Sequence, residues 1–351
     1  MAKASTKRSK NTETAHSVGD SSVYFAPLLP WQVSAWEQFV SQHKDGHLPH
    51  GLLAAGMAGI GKHAFVWRAV AYQLCHSPSD DGACGMCQSC VWLKAGTHPD
   101  LMVLPMDSLP TVVADDTLSN IKIDDVRGLQ DFNHLQSRGT RLIVLDRADS
   151  LTLGAANALL KTLEEPRAGV HLWLISDNPA RLLPTIKSRV QMLPLTHFDS
   201  RQGQDYVVKA LGVSDDEAHR LMTLADNAPL TAIGLKNARW FGLRTVWLKT
   251  FVALQQGKRL PVQASDYWQG ELGFDEFCQL TRAMLTELYR VGLQLPSQHT
   301  DINTAQLLHN VVLNSQKLEH ILNTLDDNSL AIQQNVQDKL AYDDLMVQLA
   351  G

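Results

Sequence analysis

Two groups of residues in this chain have the types and spacing to do chemistry. The stretch "GMAGIGKHAF" meets the pattern G-x-x-x-x-G-K-[ST] at Gly56, Gly61 and Lys62, with a further glycine at Gly59. Glycines let successive backbone N–H groups turn into one concavity at a helix N-terminus, where they cradle phosphate oxygens. The lysine reaches the outer phosphates, and the last residue of the pattern is a hydroxyl that ligates magnesium. Here that residue is His63, which lacks the hard oxygen donor Mg²⁺ prefers. In "RLIVLDRADSL" an apolar strand ends in Asp146, the usual place of a magnesium-site carboxylate. Arg147 follows where a glutamate would activate water, and a guanidinium cannot act as a base at neutral pH. Gly56, Gly59, Gly61, Lys62, His63 and Asp146 therefore read as a degenerate nucleotide site that keeps its shape and has lost its hydrolytic chemistry. Lys62 leaves room for weak binding of ATP or ADP, or for none.

The second group is Cys75, Cys84, Cys87 and Cys90, spaced C-x8-C-x2-C-x2-C, four of the five cysteines in the chain. In a reducing compartment four clustered thiols read as a structural zinc site. Four thiolates close a tetrahedral shell and leave no position for water, so such a site staples a loop. An iron–sulfur cluster is the alternative. Cys278 lies among Phe274, Phe277 and Leu280 and reads as a core cysteine.

The elements that must position these groups follow from apolar patterning. "HGLLAAG", "LMVLP", "RLIVL", "VHLWLIS" and the end of "LLPTIKSRVQMLPL" read as strands, with helices between them. Strands apolar on both faces that alternate with helices predict a parallel sheet covered on both sides. After about residue 196 only helical patterns remain. The expected organisation is a tail over 1–23, an α/β nucleotide-binding-like domain over 24–196 with the cysteine module at 75–90, a small helical lid over 197–241, and an all-α domain over 242–351. The polar start of the chain reads as a disordered tail and not as a secretory signal.

Composition narrows the classes further. With 351 residues and 44% hydrophobic content the chain can bury several cores, and a net charge of −5 argues against a generally basic, nucleic-acid-binding surface. No apolar run is long enough to span a membrane. Few cysteines and no leader imply the cytoplasm.

The cysteine insertion directly after the loop helix, together with "ANALLKTLEEP" ending at Pro166, gives the chain a family. It resembles the bacterial AAA+ clamp-loader subunits of DNA polymerase III, over about residues 24–350 and most specifically 50–195. Motor subunits (gamma/tau) and the delta prime subunit share that motif and the four-cysteine module. The resemblance implies a RecA-like parallel sheet, a helical lid and a helical collar. It also implies a place in DNA replication beside motor and delta subunits, with the sliding clamp and primer-template DNA reached through the complex. His63, Arg147 and Leu230, the last standing where motor subunits carry a γ-phosphate-contacting arginine, depart from the motor pattern together. These departures fit the delta prime type, a non-hydrolysing stator with no ATPase or polymerase site of its own; a competent gamma/tau-type ATPase is the alternative. A third reading is a zinc-dependent nucleic-acid module on a relic fold. The family's Ser-Arg-Cys motif is here Ser188, Arg189 and Val190, and the resemblance implies that Arg189 reaches into a neighbour's ATP site. Asn178 stands where active relatives sense the γ-phosphate, and is carried only as a further contact. The acids of "KTLEEP" read as family structure or interface. Lys122, Arg127 and Arg138 read as a solvated charged face more readily than as a DNA track.

Overall fold

Alternate residues of the central strands bury into two separate cores, and this two-sided burial defines the first part of the molecule. The computed structural model describes residues 21–110, 120–134, 139–195, 199–309, 311, 313–333 and 338–351. The tail expected at the start of the chain falls mostly outside the described residues; Ser21–Phe25 form a 3-10 turn that buries Tyr24. The chain divides into two units, Met1–Gly56 with Gly61–Thr196, and Met57–Ile60 with His197–Gly351.

In the first unit β1 (Gly51–Ala55), β2 (Leu101–Leu104), β3 (Arg141–Leu145), β4 (Val170–Ser176) and β5 (Gln191–Met192) form one sheet in the order β2-β3-β4-β1-β5. Every neighbouring pair is parallel. Leu52, Ala54, Leu142, Val144, Trp173 and Ile175 face one core, which α1 (Val33–Lys44) and α2 (Lys62–Leu74) complete with Trp36, Phe39, Phe65 and Val70. Leu93 of α3 (Gln88–Ala95) joins it. Leu53, Ala55, Ile143, Leu145, Leu172 and Leu174 face the other core, against α4 (Ile123–His134), α5 (Leu153–Glu164) and α6 (Pro184–Lys187). The period of two in each strand thus feeds both faces, as in doubly covered parallel sheets. This is the predicted AAA+ α/β architecture. Thr152 caps α5 by accepting from the Ala155 amide at 3.3 Å, and Pro166 lies just past its end.

The second unit is helical. In it α7 (Ser200–Leu211), α8 (Asp215–Leu224) and α9 (Pro229–Asn237) enclose Val207, Leu221, Met222 and Ala232. Ser214 caps α8, accepting from the Glu217 amide, and three acids fill its first turn, where the helix dipole favours them. Leu230 is the second residue of α9, and its amide donates to the Gly59 carbonyl at 3.0 Å. A larger core holds Trp247, Trp268, Phe277, Leu285 and Leu345. It is built by α10 (Arg244–Gln255), α11 (Pro261–Glu271), α12 (Phe274–Gly292), α13 (Thr304–Leu307), α14 (Ser315–Gln333) and α15 (Asp338–Ala350). The two last helices, α14 and α15, fall within the stretch where only helical patterns were expected. Cys278 packs in this core, as its apolar neighbours predict.

Candidate nucleotide site and cysteine cluster

Parallel register collects the chemistry-bearing residues. Ala55 pairs with Ser176 across β1 and β4, and Leu145 pairs with Leu104 and Leu174 from β3. Gly56, Asp146 and Asp177 therefore leave three adjacent strands at the same carboxyl edge, where open α/β sheets bind their ligands. The Gly56 amide donates to the Ser176 carbonyl at 3.2 Å, which ties the start of the loop to the end of β4.

Gly56, Gly59 and Gly61 have φ values of 142°, 81° and 87°, a region that side-chain-bearing residues rarely adopt. At Gly61 a Cβ would also lie 2.2 Å from Leu29 Cδ1 and 2.9 Å from Gln32 Nε2. The Gln32 amide donates to the Gly61 carbonyl at 2.8 Å, so the loop's exit into α2 is braced from the segment preceding α1. The glycine path predicted for the loop is thus present.

Its charged groups are engaged internally. Lys62 is only 1% exposed, and its Nζ lies 2.5 Å from Asp177 Oδ1. An ammonium taken out of water needs such a counter-charge, because its desolvation otherwise costs on the order of several kcal/mol. Next along the helix, His63 Nε2 lies 2.8 Å from Asp146 Oδ1. The Arg147 amide donates to the same oxygen at 2.9 Å, with Arg147 itself in the left-handed region at φ 52°. Burial works to raise the Asp146 carboxyl, but the His63 hydrogen bond and charge, with bonds from Ser108 and the Arg147 amide, outweigh it and hold its pKa below the usual carboxylate range. Asn178 is exposed. Leu230, in the second unit, is half-buried. Asp177 is the functional residue that the sequence reading passed over. Its signal was there, an acid directly after an apolar strand.

Arg189 lies just ahead of β5, half-buried. Its Nη2 pairs with Glu164 Oε1 at 2.7 Å, and Nη1 donates to the Thr185 carbonyl at 2.9 Å. Ser188 donates its hydroxyl to the same carbonyl at 3.0 Å. Of the basic residues considered for a DNA track, Arg127 pairs with Asp124 on the exposed face of α4, Lys122 is exposed, and Arg138 lies outside the described residues.

The four cysteines meet. Cys75 caps the end of α2, Cys87 caps the start of α3 and Cys90 lies within it. Their sulfurs all lie within 4.8 Å of one another, with Cys87–Cys90, Cys75–Cys87 and Cys84–Cys90 at 3.5, 3.9 and 4.0 Å. Metal–sulfur bonds of about 2.3 Å in a tetrahedron put sulfurs about 3.8 Å apart, so the donor set fits one tetrahedral ion. Backbone amides of Met86 and Cys87 hold the Cys84 thiol down at about 6, which favours the thiolate a metal needs. The module is braced to the sheet domain by Trp36 Nε1, which donates to the Asp80 carbonyl at 2.8 Å, and by Arg68, which donates to the Asp81 carbonyl.

A five-stranded parallel sheet with a glycine loop at its carboxyl edge, helices on both faces and a helical unit after it defines a protein of the AAA+ class. Comparison with known proteins narrows the class. A family model described as DNA polymerase III, delta subunit, matches residues 31–199. The DNA polymerase III subunit delta' of Pseudomonas aeruginosa is 35% identical over 271 residues, covering 74% of this chain and 78% of the relative. The subunit delta' of Escherichia coli is 30% identical over 208 residues, 59% of this chain and 60% of the relative. A solved Thermotoga maritima protein described as DNA polymerase III gamma subunit-related aligns over 91% of this chain and 98% of its own, at 18% identity and a TM-score of 0.40. The chain belongs to the DNA polymerase III delta' subunit family.

Two outcomes follow from the ion pairs. The folded Asp146 carboxyl is more acidic than in the unfolded chain, so its stabilisation is complete above about pH 4 and is lost as pH falls through its depressed folded value. In acid unfolding, the stability gap between the parent and Asp146→Asn is therefore expected to close as pH falls below about 4. Asp177→Asn removes the counter-charge of Lys62. Because Asp177 is 41% exposed, the loss is about 1–3 kcal/mol, less than for a fully buried pair. In thermal unfolding, millimolar ADP then stabilises the Asn variant more than the parent.

Proposed function

We propose that this chain is the non-hydrolysing stator of a DNA polymerase III clamp loader. In this reading it helps load the sliding clamp onto primed DNA, alongside gamma/tau motor subunits and a delta subunit. The observation that carries the non-hydrolysing part is the internal pairing of Lys62 with Asp177 and His63 with Asp146. The side chains that would meet a phosphate or a metal, Lys62 and Asp146, each already have a protein partner. No hydroxyl stands at position 63 and no carboxylate at position 147, so neither a magnesium ligand nor a water-activating base is available there. Nucleotide binding by this chain is weak or absent.

Arg189 serves the ATP site of an adjacent motor subunit, with Ser188 shaping its turn. A guanidinium supplied in trans stabilises charge that develops on the transferred phosphoryl group. The cysteines hold a structural Zn²⁺, chosen over an iron–sulfur cluster because nothing else in the chain serves redox chemistry. Residues 197–241, with their own small core, act as the lid, and 242–351 as a collar toward the other subunits. No helix among the described residues is long and apolar enough to cross a membrane. Contact with primer-template DNA is made through the complex.

Two measurements test this. The purified chain is expected to release no phosphate from ATP over multiple turnovers, while Arg189→Ala in a complex reconstituted with motor and delta subunits slows clamp loading on the order of tenfold or more. Turnover by the chain alone that Lys62→Ala abolishes would restore the motor-type reading. Metal analysis is expected to find one zinc per chain. Its loss on chelation, or in Cys84→Ser, lowers the melting temperature and weakens assembly. An iron signal would overturn the zinc assignment.

A further inference from the structure

Glu164 and Arg189 are brought together by the fold and not by a chance meeting of long side chains. Glu164 is the last residue of α5, and Arg189 ends the turn that follows α6. Leu163, which precedes Glu164, and the Arg189–Val190 backbone approach the start of β1 at Gly51. A Cβ there would lie 3.0 Å from Val190 Cγ1, 3.3 Å from Leu163 Cδ2 and 3.4 Å from the Arg189 carbonyl, so the approach depends on the missing side chain. The His50 ring lies 3.1 Å from the Leu163 carbonyl and ties the end of α5 to the same place. On the other side, the Ser188 and Arg189 amides donate to the Pro184 and Ile186 carbonyls, which fixes the backbone that carries the arginine.

The guanidinium is then held at both terminal nitrogens. Nη2 meets Glu164 Oε1 at 2.7 Å, and Nη1 donates to the Thr185 carbonyl at 2.9 Å and to the Ser188 hydroxyl at 3.4 Å. Nε lies outside these contacts. With side chains 35% and 48% exposed, the pair contributes little to the stability of the chain. Its consequence is order. A free surface arginine samples many rotamers, and fixing one when the transition state forms is unfavourable. A planar fork held in advance loses less freedom as it binds a phosphoryl group.

We propose that Glu164 is a positioning residue for Arg189, orienting its guanidinium for the neighbouring subunit's ATP site. This rests on the reading of Arg189 as a trans arginine. It gives the first acid of the Glu164–Glu165 pair a task distinct from acid–base catalysis, since its carboxylate is engaged by the arginine's fork. The role belongs to turnover and not to nucleotide affinity.

The test uses complexes reconstituted with motor and delta subunits and the full chain carrying Glu164→Ala, Glu164→Gln, Arg189→Ala or the Glu164→Ala/Arg189→Ala pair. Glu164→Ala is expected to lower kcat for clamp-loading-coupled ATP turnover by about two- to fivefold, the range of an exposed ion pair. The KM for ATP is expected to change by less than about twofold. Glu164→Gln, which keeps a neutral oxygen acceptor, recovers part of the loss. In the Arg189→Ala background, Glu164→Ala has no further effect, because its only route of action is gone. Unchanged or faster turnover in Glu164→Ala, with Arg189→Ala defective, overturns the positioning role. An undiminished further loss in the double variant also overturns it. Full turnover in Arg189→Ala overturns the reading of Arg189 instead, so the two failures are told apart.

Discussion

A lysine ammonium taken out of water must have a counter-charge, and at the head of α2 that requirement organises the whole carboxyl edge of the sheet. Lys62 is almost fully enclosed, and the carboxylate that balances it comes from the residue after β4. The pairing is possible because β1 and β4 run parallel in register, so the loop leaving one strand passes beside the acid leaving the other. The glycines, with their left-handed φ values, carry the backbone through the turn that puts Lys62 there. Gln32 then pins the exit of the loop. A phosphate group entering this place would have to displace a carboxylate already in contact with the ammonium.

The next pair follows the same logic one residue along. Asp146 leaves the end of β3, and its Oδ1 faces the His63 ring and the Arg147 amide. An imidazole at that point occupies the oxygen a divalent cation would take. The fold of a nucleotide-binding protein is thus kept while its ligands are replaced by one another. Arg189, on the turn before β5, is likewise paired, with Glu164, but that pair stays partly exposed.

Much of this could be read from residue order, and the gaps have physical causes. β1, β3 and β4 were legible because each is apolar on both faces, and α5 because its motif is stopped by Pro166. The cysteine cluster was legible from ligand type and spacing alone. β5 was harder to read, with two residues paired at the sheet edge. α3 was hidden by the cysteines, whose spacing reads as a loop, and α11 by its mixed pattern, with only Ala264, Ser265 and Trp268 buried. The loop lysine was visible, but its partner was not. Asp177 lies far away in sequence, and only the register of two parallel strands brings it to Lys62. The partnership of Glu164 with Arg189 was hidden for the same reason: local periodicity carries no information on which helix end meets which turn.

The central claim is that Lys62 and Asp146 already have their partners, so neither is available to a nucleotide or its metal unless its pair breaks. A crystal structure grown with excess magnesium-ATP tests it directly. The account predicts Lys62 Nζ on Asp177 and His63 on Asp146, with no triphosphate at the loop. Magnesium-ATP seated there, with Lys62 turned onto its outer phosphates and the metal on Asp146, would contradict it.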